Sequence, residues 1–225
     1  MTPRKLIVRN ARWIAVMGAL LFVSAGTLAW PGAWVFLVEM WVLALIVGLW
    51  LLRYDPALLK ERTGPFLQRD QPRIDRLVVI SIIVLYIVWL PLMGLDWRYG
   101  WSSVPVWLQA IGATGVFLSV YLGYLTFRAN SFASPVVKIQ TERAHRVVTT
   151  GPYAYVRHPM YAGALFHFIG VPLLLGAWFG LAFLPLFIAL FVLRIGIEEK
   201  TLRAALTGYD DYAARVRYRV VPLIW

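Results

Sequence analysis

Tyr161–Ile197 constrains this chain more than any other stretch. It is an almost wholly apolar run of 37 residues. As one helix it would be roughly 55 Å long, against a hydrocarbon core of ~30 Å. The run therefore has to fold back on itself. Gly176-Ala177-Trp178-Phe179-Gly180 supplies a turn near its middle, so it reads as two short spans, 161–175 and 179–197. A hairpin of this kind brings the residues before Tyr161 and those after Ile197 to the same membrane face.

The rest of the chain fits a membrane setting. Hydrophobic residues make up 60% and charged residues only 15%, where a soluble domain carries about 25% charged. Trp13–Trp30 is a first apolar run, broken by Pro31-Gly32, and Trp34–Leu52 is a second, interrupted only by Glu39. The first run is too long for a signal-peptide core and no small-x-small cleavage site comes after it, so it reads as a retained span. Leu77–Leu95 is a third span with Pro91 as its expected kink. Val104–Phe127 is a fourth, whose Gly112, Gly115, Ser119 and Gly123 suit close helix contact. The expected architecture is all-α: a polytopic helical bundle of about six spans. Residues 1–127 form an N-terminal four-span bundle with a cytosolic loop at 53–76. Residues 128–225 form a second region of connector, span hairpin 161–197 and tail. Asp55-Pro56 suggests a short interfacial helix, Glu198–Thr207 a tail helix capped by Gly208, and Val216–Val221 a strand or extended segment.

Charge placement orients the bundle. With six spans, every Lys and Arg of the 22 falls on one side except Arg98. The bias toward basic cytosolic loops puts both termini in the cytosol and accounts for the net charge of +11 without nucleic acid. Anionic headgroups of membrane lipid match such a face. The absence of cysteine excludes disulfides, thiolate zinc sites and thiol nucleophiles. His145, His158 and His167 have no H-x-x-x-H spacing, so no metal centre is expected. Walker A, G-x-G-x-x-G and G-x-S-x-G patterns are also missing.

Chemistry concentrates in Gly151-Pro152-Tyr153-Ala154-Tyr155-Val156-Arg157-His158-Pro159-Met160-Tyr161-Ala162-Gly163. Glycines permit close approach to a ligand, and tyrosines offer ring faces and hydroxyls. A plainer reading makes Arg157 a headgroup anchor and His158 a helix cap with Pro159 in the first turn. Glu198-Glu199 could bind a ribose diol or balance a cation. Spacing equally allows plain helix ion pairs, Arg194 with Glu198 and Glu199 with Arg203. His167 reads as an interhelical hydrogen-bonder. Glu39, ionisable within a span, is a functional candidate by default.

Ser134-Pro135-Val136-Val137, the stretch His145–Gly163, Glu198-Glu199, Tyr209-Asp210-Asp211-Tyr212 and Pro222 together resemble the isoprenylcysteine carboxyl methyltransferase family. Phospholipid methyltransferases share the Arg-His-Pro-x-Tyr and Glu-Glu features. The resemblance covers roughly residues 130–222. It implies an integral membrane enzyme that uses S-adenosyl-L-methionine, taking the cofactor from the cytosol and a lipophilic acceptor from the bilayer. By that likeness, Val148, Gly151, Tyr153, His158, Pro159, Tyr161, Glu198 and Glu199 would form a cytosolic cofactor pocket. Arg157 and Arg194 would bind a substrate or cofactor carboxylate, and Glu198 or Glu199 would act as base if the acceptor were an amine. The expected localisation is a prokaryotic inner membrane, with the site facing the cytosol. Two other readings stand beside this one: an NADPH-dependent membrane sterol or steroid reductase, and a non-enzymatic membrane protein.

Overall fold

The computed structural model describes residues 1–68 and 71–225. Arg69, one of the basic residues of the 53–76 loop, lies outside them. The described chain is helical: α1 (Pro3–Ala25), α2 (Pro31–Tyr54), α3 (Pro56–Arg62), α4 (Arg73–Tyr99), α5 (Val106–Ala129), α6 (Pro159–Leu175), α7 (Trp178–Leu181), α8 (Leu184–Ala205) and α9 (Tyr209–Arg215). Single 3₁₀ turns occupy Thr141–Arg143 and Gly151–Ala154. The protein is a polytopic helical membrane bundle.

Proline and glycine set the helix ends, but not always where the apolar runs end. Helix α1 starts at Pro3, with the Thr2 hydroxyl accepting from Lys5 N–H. It stops at Ala25 because Gly26 takes a left-handed φ of 68°. Pro31, read from sequence as the break, instead opens α2 at its first turn, where a missing N–H costs nothing. Helix α4 runs unbroken through Pro91 to Tyr99, four residues past the expected end of the third span at Leu95.

Among the described residues, five stretches are long and apolar enough to cross a membrane, the fifth being Trp178–Ala205. Helix α6 has only 17 residues, about 26 Å at the α-helical rise. The six expected spans thus resolve into five full-length ones and a shorter α6. Gly176 (φ 77°) caps α6, and α7 and α8 return the chain. The tail differs from expectation too. Residues 198–205 continue α8 rather than starting a new helix, because no breaker separates them from the span. Gly208 caps the start of α9 instead of ending a helix before it. Of the two forms expected for residues 216–221, strand or extended segment, the structure has the extended one, whose Tyr218 and Arg219 carbonyls accept from Arg157 and His158 N–H at 2.9 and 2.8 Å.

Helices α5 and α6 pack with their backbones in contact. A Cβ on Gly112 would lie 2.3 Å from Leu174 N and 2.6 Å from Gly170 O, and one on Gly170 would lie 2.7 Å from Gly112 O. Gly163 meets the Ser119 carbonyl in the same way, whereas Gly123 faces open space. The main core cluster draws Trp30, Phe36, Trp89, Val116, Phe168, Phe187 and Ile195 from helices on both sides of residue 127. His167 lies within it as an interhelical partner of Tyr86, Nε2 to hydroxyl 3.2 Å.

Gly112→Ala should lower the melting temperature of detergent-purified protein by several degrees, since overpacking at a fixed backbone costs about 1–3 kcal/mol. Gly123→Ala, made beside it, should leave the melt unchanged within ~1 °C. A thermal melt of both variants checks the pair.

Candidate active site

Helix α8 buries a stripe at four-residue spacing: Phe187, Phe191, Ile195 and then Glu199. The spacing is that of one helix face, so the fourth position carries a carboxylate into the bundle where the first three carry hydrocarbon. Glu199 is 5% exposed. It is compensated from several sides. Arg157 Nε donates to its Oε1 at 2.7 Å, and His158 Nε2 lies 3.3 Å from the same oxygen. Arg219 reaches both oxygens at 3.3 Å. Arg157 spends its Nη1 on the Val216 and Arg217 carbonyls, each 2.8 Å away. The motif, α8 and the extended tail are thereby drawn to one carboxylate.

Glu198, the next position round the helix, points elsewhere. It accepts from the Tyr161 hydroxyl at 3.0 Å, and its Oε2 lies 3.9 Å from His158 Nδ1. Neither helix ion pair allowed by the spacing is made. Arg194 donates to Asp75 at 3.0 Å and to the Pro135 carbonyl, while Arg203 pairs with Asp210.

Glu198 lines a cavity of about 790 Å³ of empty space, its open mouth included, walled by the connector 130–148, the motif, α8 and α9. Val148, Tyr153, Arg157, His158, Pro159 and Tyr161 line it with Glu198. Gly151, Arg194 and Glu199, also expected at the site, are not among its described lining residues. Gly151 takes φ 61° and packs toward Ala129 of α5. Arg194 is committed to Asp75, and Glu199 stands behind the wall, where it positions Arg157 and His158.

Several wall residues are not apparent from residue types alone. Asn130 donates to the Tyr153 hydroxyl at 2.9 Å, and Tyr212 donates to the Tyr153 carbonyl at 2.8 Å. His145 stacks on Phe132 with ring centroids 4.4 Å apart. Burial, with Arg143 nearby, holds its pKa below the ordinary value, so the ring that faces the cavity is neutral at pH 7. Burial pushes Tyr212 up to about 12, and Tyr153 and Tyr209 higher still. All three hydroxyls remain protonated donors. Tyr209 is distinctive: its hydroxyl is buried and has no hydrogen-bond partner among the described residues. A buried hydroxyl left unmade costs about 1–3 kcal/mol, so it marks a place for a ligand acceptor. Two cations also line the cavity. Lys138 is held by Glu61 at 2.5 Å, whereas Arg146 is exposed. Among the described residues, the acidic and histidine side chains form no cluster able to hold a metal ion.

Because α8 buries Glu199 among several partners, removing one should be costly in proportion to how buried that partner is. Arg157→Met should destabilise by about 3–5 kcal/mol. Arg219→Ala, which removes a 38%-exposed partner, should cost about 1 kcal/mol or less. Denaturant or thermal unfolding in detergent should rank them in that order.

Residues 113–204 match the Isoprenylcysteine carboxyl methyltransferase (ICMT) family. Protein-S-isoprenylcysteine O-methyltransferase B of Arabidopsis thaliana is 31% identical over 113 residues, which are 49% of this chain and 57% of that relative. The alignment thus spans little more than half of the relative's length. The family match begins in α5, takes in the motif and both glutamates, and ends in the last turn of α8. Tyr209 and Arg219 lie beyond it. Across the segment that supplies most of the cavity wall, the chain is similar to the isoprenylcysteine carboxyl methyltransferase family of membrane methyltransferases.

Proposed function

We propose that this protein transfers a methyl group from S-adenosyl-L-methionine to the carboxylate of a lipophilic, isoprenylcysteine-type acceptor at the cytosolic face of a membrane. The observation that carries this reading is one cavity built jointly by the Arg157–Tyr161 motif and Glu198, both inside the family-matched segment. The sidedness rests on the basic loops, which share a face with the motif and the tail. A prokaryotic inner membrane is the proposed location.

The cavity's donor set fits the cofactor. Glu198 offers a carboxylate to a ribose diol and a counter-charge to a sulfonium. Arg146 offers a cation to the cofactor's carboxylate, since Lys138 is already engaged by Glu61. The unpartnered Tyr209 hydroxyl supplies a buried donor. Tyr153, Tyr212 and Phe132 supply ring surface for a flat base. When bound, the cofactor supplies an electrophilic methyl on a positively charged sulfur. The protein's part is placement: bringing reacting atoms to near-attack distance in the right line is worth orders of magnitude in rate. A carboxylate acceptor is already a competent nucleophile and needs no general base. Tyr161 and His158 fix the orientation of Glu198, and the connector and α9 wall the cavity.

Titration calorimetry on the detergent-solubilised protein should show saturable binding of S-adenosylhomocysteine and none of NADPH. Tyr209→Phe should weaken the former roughly three- to tenfold, the value of one buried hydrogen bond. Binding of NADPH with no heat from S-adenosylhomocysteine would overturn the methyltransferase reading in favour of a reductase.

A further inference from the structure

Arg62, at the end of α3, lies outside the family-matched segment, yet it touches the motif. Its Nη1 donates to the Ala133 carbonyl at 3.0 Å and sits 3.4 Å from Met160 Sδ. Its guanidinium lies 4.4 Å from the centre of the Phe127 ring. Ala133 and Met160 line the cofactor cavity, while Arg62 and Phe127 line a second groove between α1, α2, α3 and α5. Arg62 and Phe127 therefore form the partition between the two spaces.

The groove is amphipathic along its length. Val47, Leu51 and Val120 give it an apolar wall, and Arg9, Asn10 and Arg62 give it a basic, polar end. Among the described residues no carboxylate pairs with Arg62. Its neighbour Glu61 is taken by Lys138, and Asp75 is taken by Arg194. Burial, and then the nearby Arg194, lower its pKa to about 10. A guanidinium removed from water without a counter-ion is costly, and planar carboxylates match its fork best. A carboxylate entering the groove would supply the counter-ion that the described residues do not.

We propose that this groove holds the methyl acceptor: α1, α2 and α5 take its hydrocarbon chain, and Arg62 takes its carboxylate beside Met160. The inference rests on the methyl-transfer reading and adds to it a location and a charge for the acceptor. Arg62 acts by orienting the carboxylate oxygen toward the cofactor cavity. No proton has to move: the oxygen forms the new bond to the methyl carbon, and the carbon–sulfur bond breaks with its electron pair left on sulfur.

The test uses N-acetyl-S-farnesylcysteine as acceptor, together with a diazirine-bearing analogue of it. Arg62→Gln should raise the acceptor KM roughly tenfold or more, the value of a charge-assisted hydrogen bond. The S-adenosylhomocysteine Kd should stay unchanged, and Arg62→Lys should recover part of the loss. Without any cofactor, the photoprobe should label peptides containing Ala44–Leu51 or Val120–Phe127, and unlabelled farnesylcysteine should compete. Labelling confined to other helices would overturn the proposal, as would an unchanged KM in Arg62→Gln. Equal losses of acceptor and S-adenosylhomocysteine affinity would overturn it as well, since Arg62 would then be a structural brace. Methylation of phosphatidylethanolamine by wild type in preference to the carboxylate would also sink it. Failure of S-adenosylhomocysteine to bind wild type would instead defeat the underlying reading, while the photolabelling arm still reports on the groove.

Discussion

A carboxylate cannot be carried into a bundle interior unless opposite charge comes with it. Glu199 sits where the stripe Phe187, Phe191, Ile195 would next place hydrocarbon, and Arg157, His158 and Arg219 converge on it. Desolvating such a group alone would cost several kcal/mol even after relaxation. The three partners come from the motif before α6 and from the tail after α9, so the requirement of one side chain ties together segments some forty and twenty residues away. The backbone bonds from Arg157 and His158 to the Tyr218 and Arg219 carbonyls extend the tie. Glu198, Tyr161 and the cavity wall take their positions from this arrangement.

The connector between α5 and α6 has little regular structure to satisfy its backbone, and side chains do that work instead. Asp75, fully buried at the start of α4, accepts from Gln71, the Val137 N–H and Arg194. Arg194 and Arg62 cap the Pro135 and Ala133 carbonyls, and Arg143 engages Ser131 and Gln140. Through these bonds the N-terminal helices, which lie outside the family match, shape the ceiling of the cavity. The arrangement obeys the rule that buried backbone polar groups are paired.

Much of the scaffold is legible in the sequence because its signals are local. A 37-residue apolar run has to turn. Gly112 in a span marks close packing, and the Arg-His-Pro triplet marks a helix start. The readings that fail are also local in origin. Pro31 resembles a break because it interrupts an apolar run, yet proline is well suited to a first helical turn. Gly208 resembles the end of a helix and is the start of one. Arg194 and Glu198, four apart, resemble a pair. The competing partner of Arg194, Asp75, lies 119 residues away in sequence, and no spacing rule reaches that far.

The sequence by itself determined a membrane-spanning helical chain whose chemistry gathers at one face, because hydropathy, charge bias and helix length act over one span at a time. It also placed the motif and the glutamate pair together, since a hairpin returns the chain to the side it left. Only the tertiary structure decided which glutamate faces the cavity and which is buried behind it. A rotation of about 100° between successive helical residues is fixed by what packs against each face, not by the residues' identity. It alone left the Tyr209 hydroxyl without a partner and set Arg62 between two spaces, because an unmet bond or charge exists only once every neighbour has been placed.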